Sequence, residues 1–271
     1  MRRKLLGAPY LVWAAIFVVV PLGVVFYYAL TDVNTGAFTL ANLAKVGTYV
    51  PIFFNSIWLA AAASAICLLL GYPVALCIAK ANPSRQKLLI LLVMLPMCMS
   101  FLLRTLAWVA LLEDTGIINT FLGAFGIEPL PLIRNNGAVI LGMVYNYLPY
   151  MIMPLYTVLI KIDPRLIEAA QDLGCSSRQV FTRVTLPLSA PGIISGITMV
   201  FVPAVSTFYI TKKLGGTDIT LIGDVIESQF KTAYNPNLGA AMSLVLMALI
   251  FLCISIMNRF SDSDGEEVLT L

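Results

Sequence analysis

The feature that most limits how this chain can fold is where its charges are absent. Six long windows, Leu5–Thr31, Val46–Ala79, Leu88–Leu112, Asn135–Ile160, Val184–Thr211 and Thr232–Asn258, contain one formal charge between them, Arg104. Every other Lys, Arg, Asp and Glu, out of 17 basic and 14 acidic residues, lies outside them. A bilayer core of about 30 Å takes roughly 20 apolar residues in a helix, and each window can supply one crossing. Composition agrees, since 59% of the residues are apolar and 11% charged, whereas a soluble domain is far more polar. The pattern predicts an all-α integral membrane protein with six transmembrane helices, over about 8–30, 55–79, 88–112, 137–160, 188–211 and 238–258. Residues 1–260 then form a single transmembrane domain. Residues 261–271, with Asp262, Asp264, Glu266 and Glu267, form an acidic tail expected to be disordered.

Lys and Arg set the orientation. Arg2, Arg3, Lys4, Lys80, Arg85, Lys87, Lys161, Arg165, Arg178, Arg183 and Arg259 fall on one side, against Lys45, Arg134, Lys212, Lys213 and Lys231 on the other. Eleven against five predicts that both termini lie inside and that 261–271 is cytoplasmic. The net charge of +3 expresses this bias and gives no argument for nucleic acid. The first window is longer than a signal-peptide core of roughly 7–15 residues, and no small-x-small site follows it, which predicts an uncleaved span. The outer loops, about 32–54, 113–136 and 212–237, are long enough to carry short helices.

Several function classes are excluded on composition. The chain has no histidine, so it has no imidazole metal site and no Ser–His or Cys–His dyad. Cys67, Cys77, Cys98 and Cys253 fall in predicted spans and Cys175 in an inner loop, a spacing that suits neither a disulfide framework nor a metal site. No carboxylate lies within the spans, which counts against an ion-coupled secondary transporter. No G-x-x-x-x-G-K-[ST] loop is present to cradle a nucleotide phosphate. Pro21, Pro73, Pro96, Pro149, Pro154 and Pro203 fall inside spans, as expected of a packed bundle in which neighbours satisfy the freed backbone groups. Gly192 and Gly196 are spaced to let two helices approach closely.

The inner loop before the fifth span, Asp163–Pro187, is charged and helix-friendly. Asp163 suits an N-cap and Pro164 the first helical position. Leu166, Ala169, Ala170 and Leu173 recur at helical spacing, and Gly174 is placed to end the helix in a left-handed turn. Ser176-Ser-Arg-Gln179 then fits a capping box, with Val180, Phe181 and Val184 as its apolar stripe. The loop thus predicts helix, glycine elbow, helix, with a stripe resting on the bundle ends and a polar side turned to water or a partner. From these features alone, a partner-docking surface and an interfacial amphipathic helix remain equally open.

Glu168-Ala169-Ala170, Gly174, Val184, Leu186 and Pro187 resemble the EAA loop of ABC-importer permeases, which usually has Ile where Val184 stands. LGYPVALCIAK (70–80), VYNYLPYMIMPLYTVLIKID (144–163) and LIGDVIESQF (221–230) are similar to the spermidine/putrescine permease subfamily, specifically its first permease subunit, and the likeness extends over nearly the whole chain. The resemblance implies a type I ABC-importer permease fold and a bacterial inner-membrane location. It implies a second related permease subunit, two copies of a cytoplasmic ATPase that binds ATP and Mg²⁺, and an extracytoplasmic substrate-binding protein. This chain would then bind no nucleotide and catalyse no reaction. Glu168, Ala169, Ala170, Asp172, Gly174, Leu186 and Pro187 would couple it to the ATPase.

A polyamine is a flexible cation with apolar stems, so its pathway needs carboxylates and aromatic faces. Glu113 and Asp114, at the end of the third span, are candidate carboxylates, with a solvated helix end as the alternative. Trp108, Tyr145, Tyr147, Tyr150, Phe208 and Tyr209 are candidate faces, with lipid-facing or interfacial packing as the alternative. Asp224 and Glu227 fit either a contact with the binding protein or an ordinary outer loop. Arg104 runs against a cation pathway and favours an anion such as a phosphonate or carboxylate, unless it pairs with an acid or stacks on Trp108. The structural role is the expectation.

Overall fold

The computed structural model describes residues 12–33, 35–216 and 219–268, with the backbone alone at 258 and 260–268. Arg2, Arg3, Lys4, the start of the first window and residues 269–271 lie outside the described residues.

Apolar sequence without breakers gives long helices. α1 (Val12–Ala29), α2 (Ala41–Lys80), α6 (Asn136–Leu159) and the Pro236–Met257 part of α11 (Pro236–Val268) are each long and apolar enough to cross a membrane. Two further apolar stretches are helix pairs broken by a sharp bend. α3 (Pro83–Cys98) turns by 87° into the segment holding α4 (Phe101–Leu112) and α5 (Ile117–Ala124), and α8 (Ser177–Leu188) turns by 63° into α9 (Ala190–Val205). Counting each bent pair as one span gives up to six. The third span is therefore not the single rod expected at 88–112, whereas the bend before α9 falls at the start of the expected 188–211. In the third, the chain tightens to a 3₁₀ turn at Leu95–Cys98, which contains Pro96, and Met99 and Ser100 are extended. In the fifth, Pro187 and Pro191 lack the amide that would carry a helix through Ser189.

The second span begins earlier than the predicted Asn55, because the loop before it is itself helical from Ala41. The other two long loops carry α5 and α10 (Ile222–Lys231), as their lengths predicted. The last helix continues to Val268, so most of the acidic segment is helical rather than disordered. No proline follows the apolar stretch to stop the backbone ladder.

α2, α6 and α9 pack together as the centre of the bundle, while α1 lies against α11. Leu59, Ala63, Met143, Met151, Leu155, Val200 and Val205 are buried there. The glycine pair performs the role its spacing suggested. A Cβ at Gly192 would stand 3.1 Å from the Val158 Cβ, and one at Gly196 would stand 2.7 Å from the Met151 Sδ. Both glycines face α6 and let α9 approach its backbone.

Candidate functional site

Between α6 and α9 lies the charged loop, and its local geometry follows its sequence. Asp163 caps α7 (Pro164–Asp172) by accepting a hydrogen bond from the Arg165 amide at 3.0 Å, with Pro164 in the first turn. Gly174 adopts φ +83, and the Cys175 amide donates back to Ala170 O at 3.1 Å while the Gly174 amide donates to Gln171 O at 2.9 Å. These two bonds make a Schellman stop, which needs a residue free to enter the left-handed region. The capping box then starts α8: the Ser176 amide donates to Gln179 Oε1 at 2.8 Å, and the Gln179 amide donates to Ser176 Oγ at 3.4 Å.

The elbow is anchored to the bundle. The Phe181 ring meets Tyr72 of α2 edge-on at 5.6 Å. The Ser189 hydroxyl donates to Leu186 O, so Tyr72 donates its own proton to Ser189 Oγ across 2.9 Å. Val180 and Thr185 are buried, and Val184 is half-buried. The first helix differs from expectation. Of the stripe expected to rest on the bundle, only Ala170 turns inward, joined by Ile167 beside the ends of α2 and α6. Leu166 and Ala169 are exposed, and Leu173 is 86% exposed. A nine-residue helix held at both ends can press only one narrow strip on the bundle, and the geometry of the elbow chooses Ile167 and Ala170. Glu168, Asp172, Leu186 and Pro187 are also exposed. The result is an outward surface that mixes apolar and acidic side chains.

The predicted pathway residues divide. Trp108 of α4 meets Tyr145 of α6 edge-on at 5.4 Å, Tyr147 lies 6.4 Å from Tyr150, and Tyr209 lies 6.1 Å from Phe101. The Tyr147 hydroxyl donates to Pro203 O at 3.4 Å and lies within electrostatic range of Arg104. Arg104, Trp108, Tyr145, Tyr147, Tyr150 and Tyr209 therefore share one region, where α4, α6 and the segment after α9 converge. Phe208 is 41% exposed. Glu113 and Asp114 are exposed beyond the end of α4 and are not drawn into the aromatic group. Among the described residues Arg104 pairs with no acid and its Nε and Nη1 have no hydrogen-bond partner, while Trp108 packs edge-on against Tyr145.

A second polar group, visible only in three dimensions, occupies the loop between α9 and α11. Asp224 is buried in the first turn of α10, where its Oδ2 accepts from the Leu221 amide at 3.0 Å. Burial pushes its carboxyl up to about 6, against the Leu221 amide and the Lys212 charge, which pull it down. Glu227 pairs with Lys212 and, at 2.9 Å, with Lys231, and these partners hold its carboxyl below the usual range. The Ile222 amide donates to Ser56 Oγ of α2 at 2.8 Å, tying the loop to the bundle. Sequence spacing places Asp224 and Glu227 one turn apart but carries no signal that one is buried and the other paired.

The apolar helical bundle, with its two bent helix pairs and its helix–glycine–helix elbow, is that of a membrane-embedded helical protein. Its fold matches a crystal structure of a bacterial ABC transporter that imports the acidic polysaccharide alginate, with a TM-score of 0.73 at 19% identity over 97% of this chain and 96% of that one. The chain belongs to the family of binding-protein-dependent transport system inner membrane components, which it matches over residues 67–264. It is 40% identical over 222 residues to the spermidine/putrescine transport system permease protein PotB of Haemophilus influenzae, covering 81% of this chain and 78% of that one. It is 37% identical over 235 residues to PotB of Escherichia coli, covering 85% and 86%. The chain is thus a multi-pass transport component of an inner membrane, not an enzyme.

Proposed function

We propose that this chain forms one half of the translocation pathway of an ATP-driven polyamine importer in a bacterial cytoplasmic membrane. The observation that carries the substrate class is the 40% identity with a spermidine/putrescine permease over most of both chains. A second permease subunit completes the pathway, and a binding protein delivers spermidine or putrescine from outside. Two ATPase copies bind ATP and Mg²⁺ at the inner face. Both termini lie inside, by the Lys and Arg bias of the loops. The exposed strip Leu166, Ala169 and Leu173, flanked by Glu168 and Asp172, suits the cleft of the ATPase, because an apolar strip beside acids loses water gladly only against a partner. Gly174 transmits the ATPase closure to α8 and α9. The tyrosines and Trp108 offer faces to ammonium groups.

One observation favours a second reading. The buried Arg104 suits an anion such as a phosphonate better than a cation, and ferric ion is a further competitor. The test is ATP-dependent uptake of labelled spermidine by the complete complex with its binding protein, challenged with putrescine, a phosphonate and ferric ion. Inhibition by putrescine alone supports the polyamine importer, and absence of spermidine uptake with binding of an anion replaces it.

A further inference from the structure

The hairpin of α2 and α3 opens a groove of about 390 Å³ on the surface of the bundle. Val74, Cys77 and Ile78 of α2 form one wall, and Leu89, Leu92 and Val93 of α3 form the other. No charged or hydroxyl side chain lines it. Val74, Cys77 and Leu92 are exposed, so the groove faces outward, which for an apolar bundle in a membrane means toward hydrocarbon. Along α3 it reaches Val93, about 15 Å from the helix start at Pro83. That is half of a bilayer core of about 30 Å, the depth of one leaflet.

The end of the groove nearest the α2–α3 turn is positively charged. Helical spacing puts Arg85 one turn before Leu89 on the same face of α3, and Lys80 one turn after Cys77 on α2. Both are exposed, as is Lys87, and none of the three has an ion pair among the described residues. No acid occurs in the sequence between Asp32 and Glu113 to neutralise them. Asn82 starts α3 without a side-chain cap, which leaves first-turn amides open to an anion. The Gln86 side-chain amide donates to Ala79 O at 3.0 Å and ties the two walls together at this end.

We propose that the groove binds one anionic phospholipid of the membrane, with an acyl chain between α2 and α3 and its phosphate on Arg85 and Lys80. The apolar walls run the depth of one leaflet, and the uncompensated cations stand where that leaflet has its headgroups. A guanidinium takes a phosphate through two parallel hydrogen bonds, and Lys80 adds charge beside it. A zwitterionic lipid brings an ammonium of its own toward these cations, so the site selects a headgroup of net negative charge. The site is separate from the elbow and from the aromatic group around Arg104, and it does not depend on which solute the protein carries.

The test is lipid retention by the full chain, purified in detergent, offered phosphatidylglycerol or phosphatidylcholine and weighed by native mass spectrometry. One phosphatidylglycerol should stay bound at a concentration about tenfold below that needed for phosphatidylcholine. Arg85→Gln combined with Lys80→Gln should remove the preference, each cation accounting for about fivefold. Cys77→Trp fills the groove without touching a charge and should release the lipid, while Cys77→Ala should keep it. Equal retention of the two lipids by wild type overturns the proposal, as does a preference that survives loss of both cations. Undiminished phosphatidylglycerol binding by Cys77→Trp overturns it too, because the attraction would then be a diffuse one to the basic turn. Uptake plays no part in this readout, so failure of the polyamine reading shows separately.

Discussion

At the scale of single residues, two positions carry sharp expectations. Gly223 opens α10 so close to the preceding turn that a Cβ there would lie 2.5 Å from Thr207 O and 2.6 Å from Ser206 O. Both are backbone atoms and neither can step aside. Gly223→Ala should therefore destabilise the protein by about 1–3 kcal/mol and lower its melting temperature in detergent. An unchanged melting curve would show that the loop relaxes freely. Asp224 gives a pH dependence. Its carboxyl is raised in the fold from 3.8 to about 6, so the folded state holds a proton that the unfolded chain has lost. Stability then rises as pH falls through about 6 toward 4, by up to about 3 kcal/mol, and that gain is lost again as pH rises. Glu227 has the opposite sign, since its lowered carboxyl contributes stability that fades as pH falls below its ordinary 4.5. Thermal melts between pH 4 and 7.5 should show the rise, and Asp224→Asn should abolish it. A flat wild-type profile would mean that Asp224 is hydrated in solution.

At the scale of elements, the elbow and the glycine contact are the parts whose geometry is hardest to replace. Proline cannot reach the φ of +83 that Gly174 holds, so Gly174→Pro should break the Schellman stop and turn α7 away from its orientation. Uptake should fall about tenfold or more while the chain still inserts, and Glu168→Lys, which reverses a charge on the exposed strip, should do the same. Normal uptake by either variant removes the coupling role. Gly192→Val places branched carbons against Val158 and the Pro154 carbonyl, at 3.1 and 3.2 Å from the new Cβ. Separating α9 from α6 in this way should cost about 1–3 kcal/mol, read as a lower melting temperature. The elbow was legible because caps and a left-handed glycine are local devices. The face that α7 presents was not, because Leu166 and Ile167 are equally apolar and only the anchoring of both helix ends selects which touches the bundle.

At the scale of the whole molecule, the permease reading predicts that the chain copurifies with an ABC ATPase, and that deleting 164–176 abolishes this while leaving the spans inserted. Retention of the ATPase after the deletion would place the docking surface elsewhere. The sequence by itself determined the membrane setting, the all-helical class and the elbow, because charge exclusion from a bilayer and helix capping act on residues close in the chain. The tertiary structure alone decided that two apolar helix pairs are bent and that the buried Arg104 Nε and Nη1 have no hydrogen-bond partner among the described residues. It also decided that Glu113 and Asp114 stay in solvent while Asp224 is buried. Those outcomes depend on which faces of α2, α4, α6 and α9 meet. Hydropathy cannot encode that choice, since every face of such a helix is apolar enough to be lipid-facing or core.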